Sequence, residues 1–149
     1  MGERGAGMTA KEFLRRARNV DRRVDEATER VERLRARLEA GRMSRITGMP
    51  RGGSEDWTAT ADKLIELEKR VNARIRDLCA LKHAAMDAIN AINGKDEARL
   101  REVLELYYID GYSWETVANV MDLDPRWVFR LHGRALQRIK VPDGTHLFD

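Results

Sequence analysis

Cysteine is almost missing from this chain, and Cys79 alone excludes an intramolecular disulfide and a thiolate zinc cluster. Proline is held to 3 residues and aromatics to 6%, whereas charged residues make up 36%. Such a composition suits long exposed helices better than a large globular core. No apolar run reaches the length of a membrane span and no signal-peptide core is present, so a cytoplasmic protein without a membrane partner is expected. His83, His132 and His146 stand at no ligand spacing, so neither a metal site nor a cofactor is expected. A glycine-rich phosphate loop and a supported nucleophile–base pair are also missing. Glu115 with Asp122 or Asp124 could be drawn together as a carboxylate set, but helix capping and surface solvation account for all of them. The chain therefore reads as a non-enzyme.

What is present is charge, unevenly spread. The 149 residues, one domain or a small domain with an appendage, carry a net +3. Residues 1–51 hold 14 Lys/Arg against 8 Asp/Glu, and the remainder hold 14 against 17. Inside that acidic remainder, Pro125–Lys140 carries Arg126, Arg130, Arg134, Arg138 and Lys140 and no acid. A basic segment in an acidic surround points to a local polyanion site.

Residues 1–8, rich in glycine, read as a flexible tail. Thr9 and Glu12 have the spacing of a capping box, which predicts a helix from about Ala10. Phe13, Ala17, Val20, Val24, Ala27, Val31, Leu34 and Leu38 follow at alternating steps of four and three, a coiled-coil seam. Charges on the other faces pair along the helix, as Glu26 with Arg30 and Glu29 with Arg33. The density of Arg15, Arg16, Arg18, Arg22 and Arg23 leaves room for an accessory DNA-backbone contact. Gly41 is expected to stop this helix. A loop within 41–56 follows, whose cations Arg42, Arg45 and Arg51 either touch phosphates or simply lie in solvent. Ser54 or Asp56 then caps a second long helix, reaching about Ile92, with the stripe Leu64, Leu67, Val71, Ile75, Leu78, Ala85, Ile89 and Ile92. Cys79 falls on or beside that stripe and reads as a small buried hydrophobe. Stripes this long need each other or a second chain, so residues 9–93 are expected to form an antiparallel hairpin that joins homodimers or higher homo-oligomers.

Asn93-Gly94 breaks the chain, and Asp96 is expected to cap a helix over Glu97–Ile109. Asp110-Gly111 marks a turn and Ser113 caps a short helix from Trp114. Asp122-Leu123-Asp124 interrupts it, and Asp124 caps a last helix whose first residue is Pro125. Val117, Ala118, Met121, Leu123, Val128 and Leu131 occupy the places that hold a helix-turn-helix together. Three helices over 94–141 should thus make a DNA-binding domain, followed by a tail at 142–149. At 100° per residue Val128, Leu131, Ala135 and Ile139, widened by Phe129, His132 and Leu136, face inward. Arg126, Arg130, Gly133 and Gln137 face outward, with Trp127 and Arg134 at the edge.

The base-reading residues are therefore expected to be Arg126, Trp127, Arg130 and Arg134, since an arginine fork matches guanine O6 and N7. Trp127 fits a thymine contact or the rim of the core equally well. Ser113, Gln137, Arg138 and Lys140 are expected on phosphates, although Ser113 also serves as a cap and Arg138 and Lys140 complement the helix dipole. Gly133 weakens the helix by roughly 1 kcal/mol relative to alanine, which close approach to a groove wall or simple drift would explain.

The run Tyr107–Ala118 followed by Arg126–Leu136 resembles the C-terminal part of phage and prophage transcriptional regulators of the RinA/ArpU type, whose helix-turn-helix is similar to region 4 of sigma-70 factors. The resemblance extends upstream through Met49-Pro50-Arg51-Gly52-Gly53 and covers roughly Val20–Lys140. It implies a phage-derived regulator of late or packaging genes, acting on double-stranded DNA in a bacterial host. It also implies contact with RNA polymerase. No counterpart of sigma region 2 is present, so a complete sigma factor is not implied. Two other readings stand beside it: a small-terminase-like recognition subunit for DNA packaging, and a coiled-coil adaptor that binds protein only. The expected fold is all-α, a long antiparallel helical hairpin followed by a three-helix helix-turn-helix domain.

Overall fold

The computed structural model describes residues 7–48 and 54–144, and every regular element among them is helical. The chain is all-α. Helix α1 spans Ala10–Arg18, α2 Val20–Ile46 and α3 Ser54–Asn90. A 3₁₀ turn at Lys95–Glu97 leads into α4, Ala98–Leu104, which is prolonged by a π-helical turn over Glu105–Ile109. Helices α5, Trp114–Met121, and α6, Pro125–Arg138, complete the order. None of the described helices is long and apolar enough to cross a membrane.

By its contacts the chain forms two compact units, one of Met1–Asp21 with Leu78–Asp149 and one of Arg22–Asp77. The division expected at Asn93-Gly94 is therefore displaced into the two long helices. Its cause lies in α1. The capping box forms as expected, with the Glu12 amide donating to Thr9 Oγ1 and the Thr9 amide to Glu12 Oε2, both at 3.2 Å. The helix then ends at Arg18 instead of continuing, because Asn19 sits at φ −96° and ψ 5°, outside the helical region. Leu14, which is no part of the seam, is as fully buried as Phe13, so α1 buries a wider arc than a coiled-coil seam provides. That arc packs on the π-helical turn and on α6.

In the same unit the end of α3 buries Leu78, Leu81, Ala85 and Ile89, and Lys82 Nζ reaches Asp21 at 2.7 Å. Cys79 is exposed and not a core residue. It stands one step, about 100°, around the helix from Leu78, beyond the arc that Leu81, Ala85 and Ile89 fill. Gly94 turns the chain at φ 127°, a value that glycine alone adopts easily, and the Arg101 guanidinium donates to the Ile92 carbonyl.

Within the second unit Val31 and Leu34 of α2 and Leu64 and Val71 of α3 are buried. Arg35 Nε donates to Glu68 Oε1 at 2.7 Å, and a Cβ at Gly41 would fall within 1.9–2.6 Å of the Trp57 ring. Positions advancing along α2 meet positions receding along α3, as in an antiparallel pair. Gly41 does not end the helix, which continues to Ile46. The missing side chain at Gly41 leaves room for the Trp57 indole, so the packing of α2 requires a glycine that helix propensity alone would disfavour.

Candidate nucleic-acid interface

The π-helical turn fixes the floor of the candidate site. The turn closes with the Asp110 amide donating to the Glu105 carbonyl at 2.8 Å, the Tyr112 amide beyond it donates to the Leu106 carbonyl at 3.0 Å, and the two adjacent tyrosines within it do different work. Tyr108 points into the core, where its hydroxyl and His132 Nε2 share a hydrogen bond of 2.7 Å. Burial holds both groups neutral: the phenol is pushed up to about 12, and the imidazole is lowered from 6.5 to about 4, with a further contribution from the charge on Lys11. Tyr107 lies flat on Trp114, with ring centroids 3.7 Å apart and planes 10° apart.

Arg18 joins this stack from α1. Its guanidinium carbon is 4.1 Å from the Tyr107 ring centre, its Nε donates to the Tyr107 carbonyl at 3.0 Å, and one terminal nitrogen donates to the carbonyls of Gly111 and Tyr112 at 3.3 and 3.2 Å. The loop that enters α5 is thus held by a residue some ninety positions earlier in the chain. Sequence reasoning missed this joint and placed Arg18 among surface cations. The available signal was Leu14 beside Phe13, which marks a second apolar direction on α1.

From this base α5 starts at Trp114 with Ser113 as its cap, accepting from the Thr116 amide at 3.2 Å. It ends where Asp122 adopts a left-handed conformation, φ 54°, and the Leu123 amide donates to the Ala118 carbonyl at 3.0 Å. Asp124 Oδ1 accepts from the Arg126 amide at 2.8 Å, so α6 starts at Pro125. The two helices close on Val117, Ala118, Val128 and Leu131, all buried, with Met121 and Leu123 half-buried beside them. The last helix ends at Arg138, two residues before Lys140.

Its outer surface carries the residues singled out from sequence. Arg126, Arg130, Gly133, Arg134 and Gln137 are exposed, and Trp127 is 41% exposed at the edge. The Arg130 guanidinium stands 5.8 Å from the Trp127 ring, so that indole borders the arginines and not the core. With other described residues the side chains of Arg126, Arg130 and Arg134 form no hydrogen bond or ion pair.

Other expected positions are placed differently. Phe129, assigned to the inward arc, is 53% exposed and touches only the margin of the core, its ring 5.4 Å from that of Trp114. Arg138 is held by Glu97 Oε1 at 2.6 Å, which competes with a phosphate role, whereas Lys140 is exposed. Arg42 and Arg45 lie on the last turns of α2 and not in a loop, and Arg51 is outside the described residues. Arg42 and Arg45 belong to the second compact unit, and α6 to the first.

A Cβ added at Gly133 would meet nothing within 4 Å, and the backbone there is ordinary helix. Gly133→Ala is therefore expected to raise stability by about 1 kcal/mol, read from denaturant unfolding. A loss of stability would show that the site is not an open helix surface.

No protein-family model matches the chain, and neither a curated protein nor a solved structure is significantly similar to it.

Proposed function

We propose that the chain is a sequence-specific DNA-binding transcriptional regulator. In this reading α5 and α6 act as a helix-turn-helix whose second helix enters the major groove. The observation that carries it is the set of exposed guanidinium groups at Arg126, Arg130 and Arg134 on one acid-free helix, none held by another described residue. Their own helix offers these three cations no acid, whereas Arg35 and Arg138 are paired with Glu68 and Glu97. Arg126 and Arg130, one turn apart near the helix start, read bases. Trp127 lies against the neighbouring sugar or a thymine methyl. Ser113, Gln137 and Lys140 meet phosphates.

The sequence resemblance to RinA/ArpU-type regulators supports a phage-derived protein of the bacterial cytoplasm that acts on late or packaging genes, with RNA polymerase as a further partner. Pairing of chains through residues 9–93 would set two recognition helices about 34 Å apart, or a multiple of that, for binding on one face of B-DNA.

The test is selection of bound duplexes from a random pool, read beside the native mass. A recurrent motif and a dimer support the reading, a large ring favours DNA packaging, and no binding at low salt leaves a protein-binding adaptor. With the selected duplex in hand, Arg126→Ala and Arg130→Ala are expected to weaken specific binding by about 1–3 kcal/mol each and relax the preference at one position each. Unchanged discrimination between the selected and a random duplex in both variants would falsify the assignment.

A further inference from the structure

Helix α1 adds cations to the margin of α6. It packs directly on that helix and turns Phe13, Leu14 and Ala17 inward, which leaves Lys11 and Arg15, four residues apart and therefore on one face, exposed. The remaining basic residues of α1 are committed elsewhere: Arg18 is bound to the carbonyls before α5, and Arg16 is half-buried. Glu12, the one acid of α1, is tied back to the Thr9 amide by the capping box. With other described residues Lys11 and Arg15 form no hydrogen bond or ion pair.

Two electrostatic effects accompany that packing. The charge on Lys11 acts on His132 of α6, and that on Arg15 acts on Tyr108, the hydrogen-bond partner of His132. On a helical wheel His132 borders the side of α6 that carries Leu136, Phe129 and Gly133. The opposite margin, at Arg138, is occupied by Glu97 at the start of α4. Helix α1 packs on α6, and Lys11, Arg15 and Arg18 follow at steps of four and three along the side of α1 that reaches the loop before α5.

We propose that Lys11 and Arg15 are phosphate contacts, through which α1 grips the DNA strand bordering the groove that α6 enters. The inference rests on the DNA-binding reading and extends the interface to a helix outside the helix-turn-helix. Two cations on a flank hold the backbone without reading bases, so they add affinity that is independent of sequence and sensitive to salt.

The experiment titrates the full chain against a labelled random-sequence duplex over a range of sodium chloride concentrations, by fluorescence anisotropy. In Lys11→Gln/Arg15→Gln, the slope of log affinity against log salt is expected to shrink by about 1 for each cation removed, with the preference for a selected duplex over a random one unchanged. Lys11→Arg/Arg15→Lys keeps both charges and the wild-type slope, which separates charge from folding. Arg30→Gln/Arg37→Gln removes two exposed cations from α2 and leaves the slope as it was. A wild-type slope in the first variant, or an equal fall in the last, overturns the inference and leaves the role of α6 standing. Failure of the wild-type chain to bind any duplex overturns both.

Discussion

Phe13→Ala is expected to destabilise the unit that contains α6 by about 3–5 kcal/mol, although Phe13 is remote from that helix in sequence. The side chain has no exposed surface, and Leu14 and Val20 beside it have 0% and 1%. A helix of nine residues has little stability of its own, so α1 persists through what it buries. What it buries is the π-helical turn and one side of α6. Removing the ring leaves a cavity against those elements and loosens the helix that carries Arg18. A loss of that size is a large part of the stability of a domain, which is typically about 5–15 kcal/mol. It would be measured as a lower denaturant midpoint at unchanged slope, with tryptophan emission as the probe because Trp114 stacks on Tyr107. Lys11→Ala, on the exposed side of the same helix, should change the midpoint little. If Phe13→Ala cost under 1 kcal/mol, α1 could not be part of this core.

The contrast between α1 and α6 shows where local chemistry is sufficient to read a fold. Ser113, Asp124 and Pro125 define helix ends by bonds within three residues of themselves, and the observed starts of α5 and α6 follow from those residues alone. The inward and outward arcs of α6 are likewise legible, because a fixed angular step per residue sorts them. Phe129 breaks the pattern since hydrophobicity says that a ring prefers burial, not that room exists for it at the rim.

The N-terminal half was legible only in part. The period of its seam positions is the same on either side of Asn19, so only Leu14, off the seam, separates the short helix that joins the C-terminal unit from the long one that does not. The difference lies in long-range partners: the carbonyls of Tyr107, Gly111 and Tyr112 for Arg18, and the Trp57 ring for Gly41. Gly41 reads as a stop because propensity penalises glycine inside a helix, yet tertiary packing determines its role here. Cys79 reads as buried because free cysteine usually is, and only its angular offset from Leu78 argues otherwise.

The pair beneath the aromatic stack should make the protein acid-sensitive above the range in which ordinary carboxylates act. His132 stays neutral in the folded chain down to about pH 4, whereas in the unfolded chain it takes up a proton near its ordinary 6.5. Between those values the unfolded state binds the additional proton, so the sign is fixed: the His132 contribution is complete above about 6.5 and declines as the pH falls towards 4. The difference amounts to roughly 3 kcal/mol. The geometry supplies the mechanism. Neutral, Nε2 and the Tyr108 hydroxyl can divide the roles of donor and acceptor across their 2.7 Å bond; protonated, the ring nitrogen can only donate, and it does so in a desolvated site with the charge of Lys11 near. His132→Gln retains hydrogen-bonding groups but cannot titrate. The variant is expected to be less stable at pH 7, through loss of ring packing against Tyr108 and Trp114, and its unfolding free energy should fall less steeply than that of the wild type between pH 6.5 and 4. Denaturant unfolding at intervals across that window measures both slopes, and carboxylates contribute equally to each. Parallel curves for the two proteins would show that His132 is as free to protonate in the folded chain as in the unfolded one, and that the core under α6 does not exclude its charge.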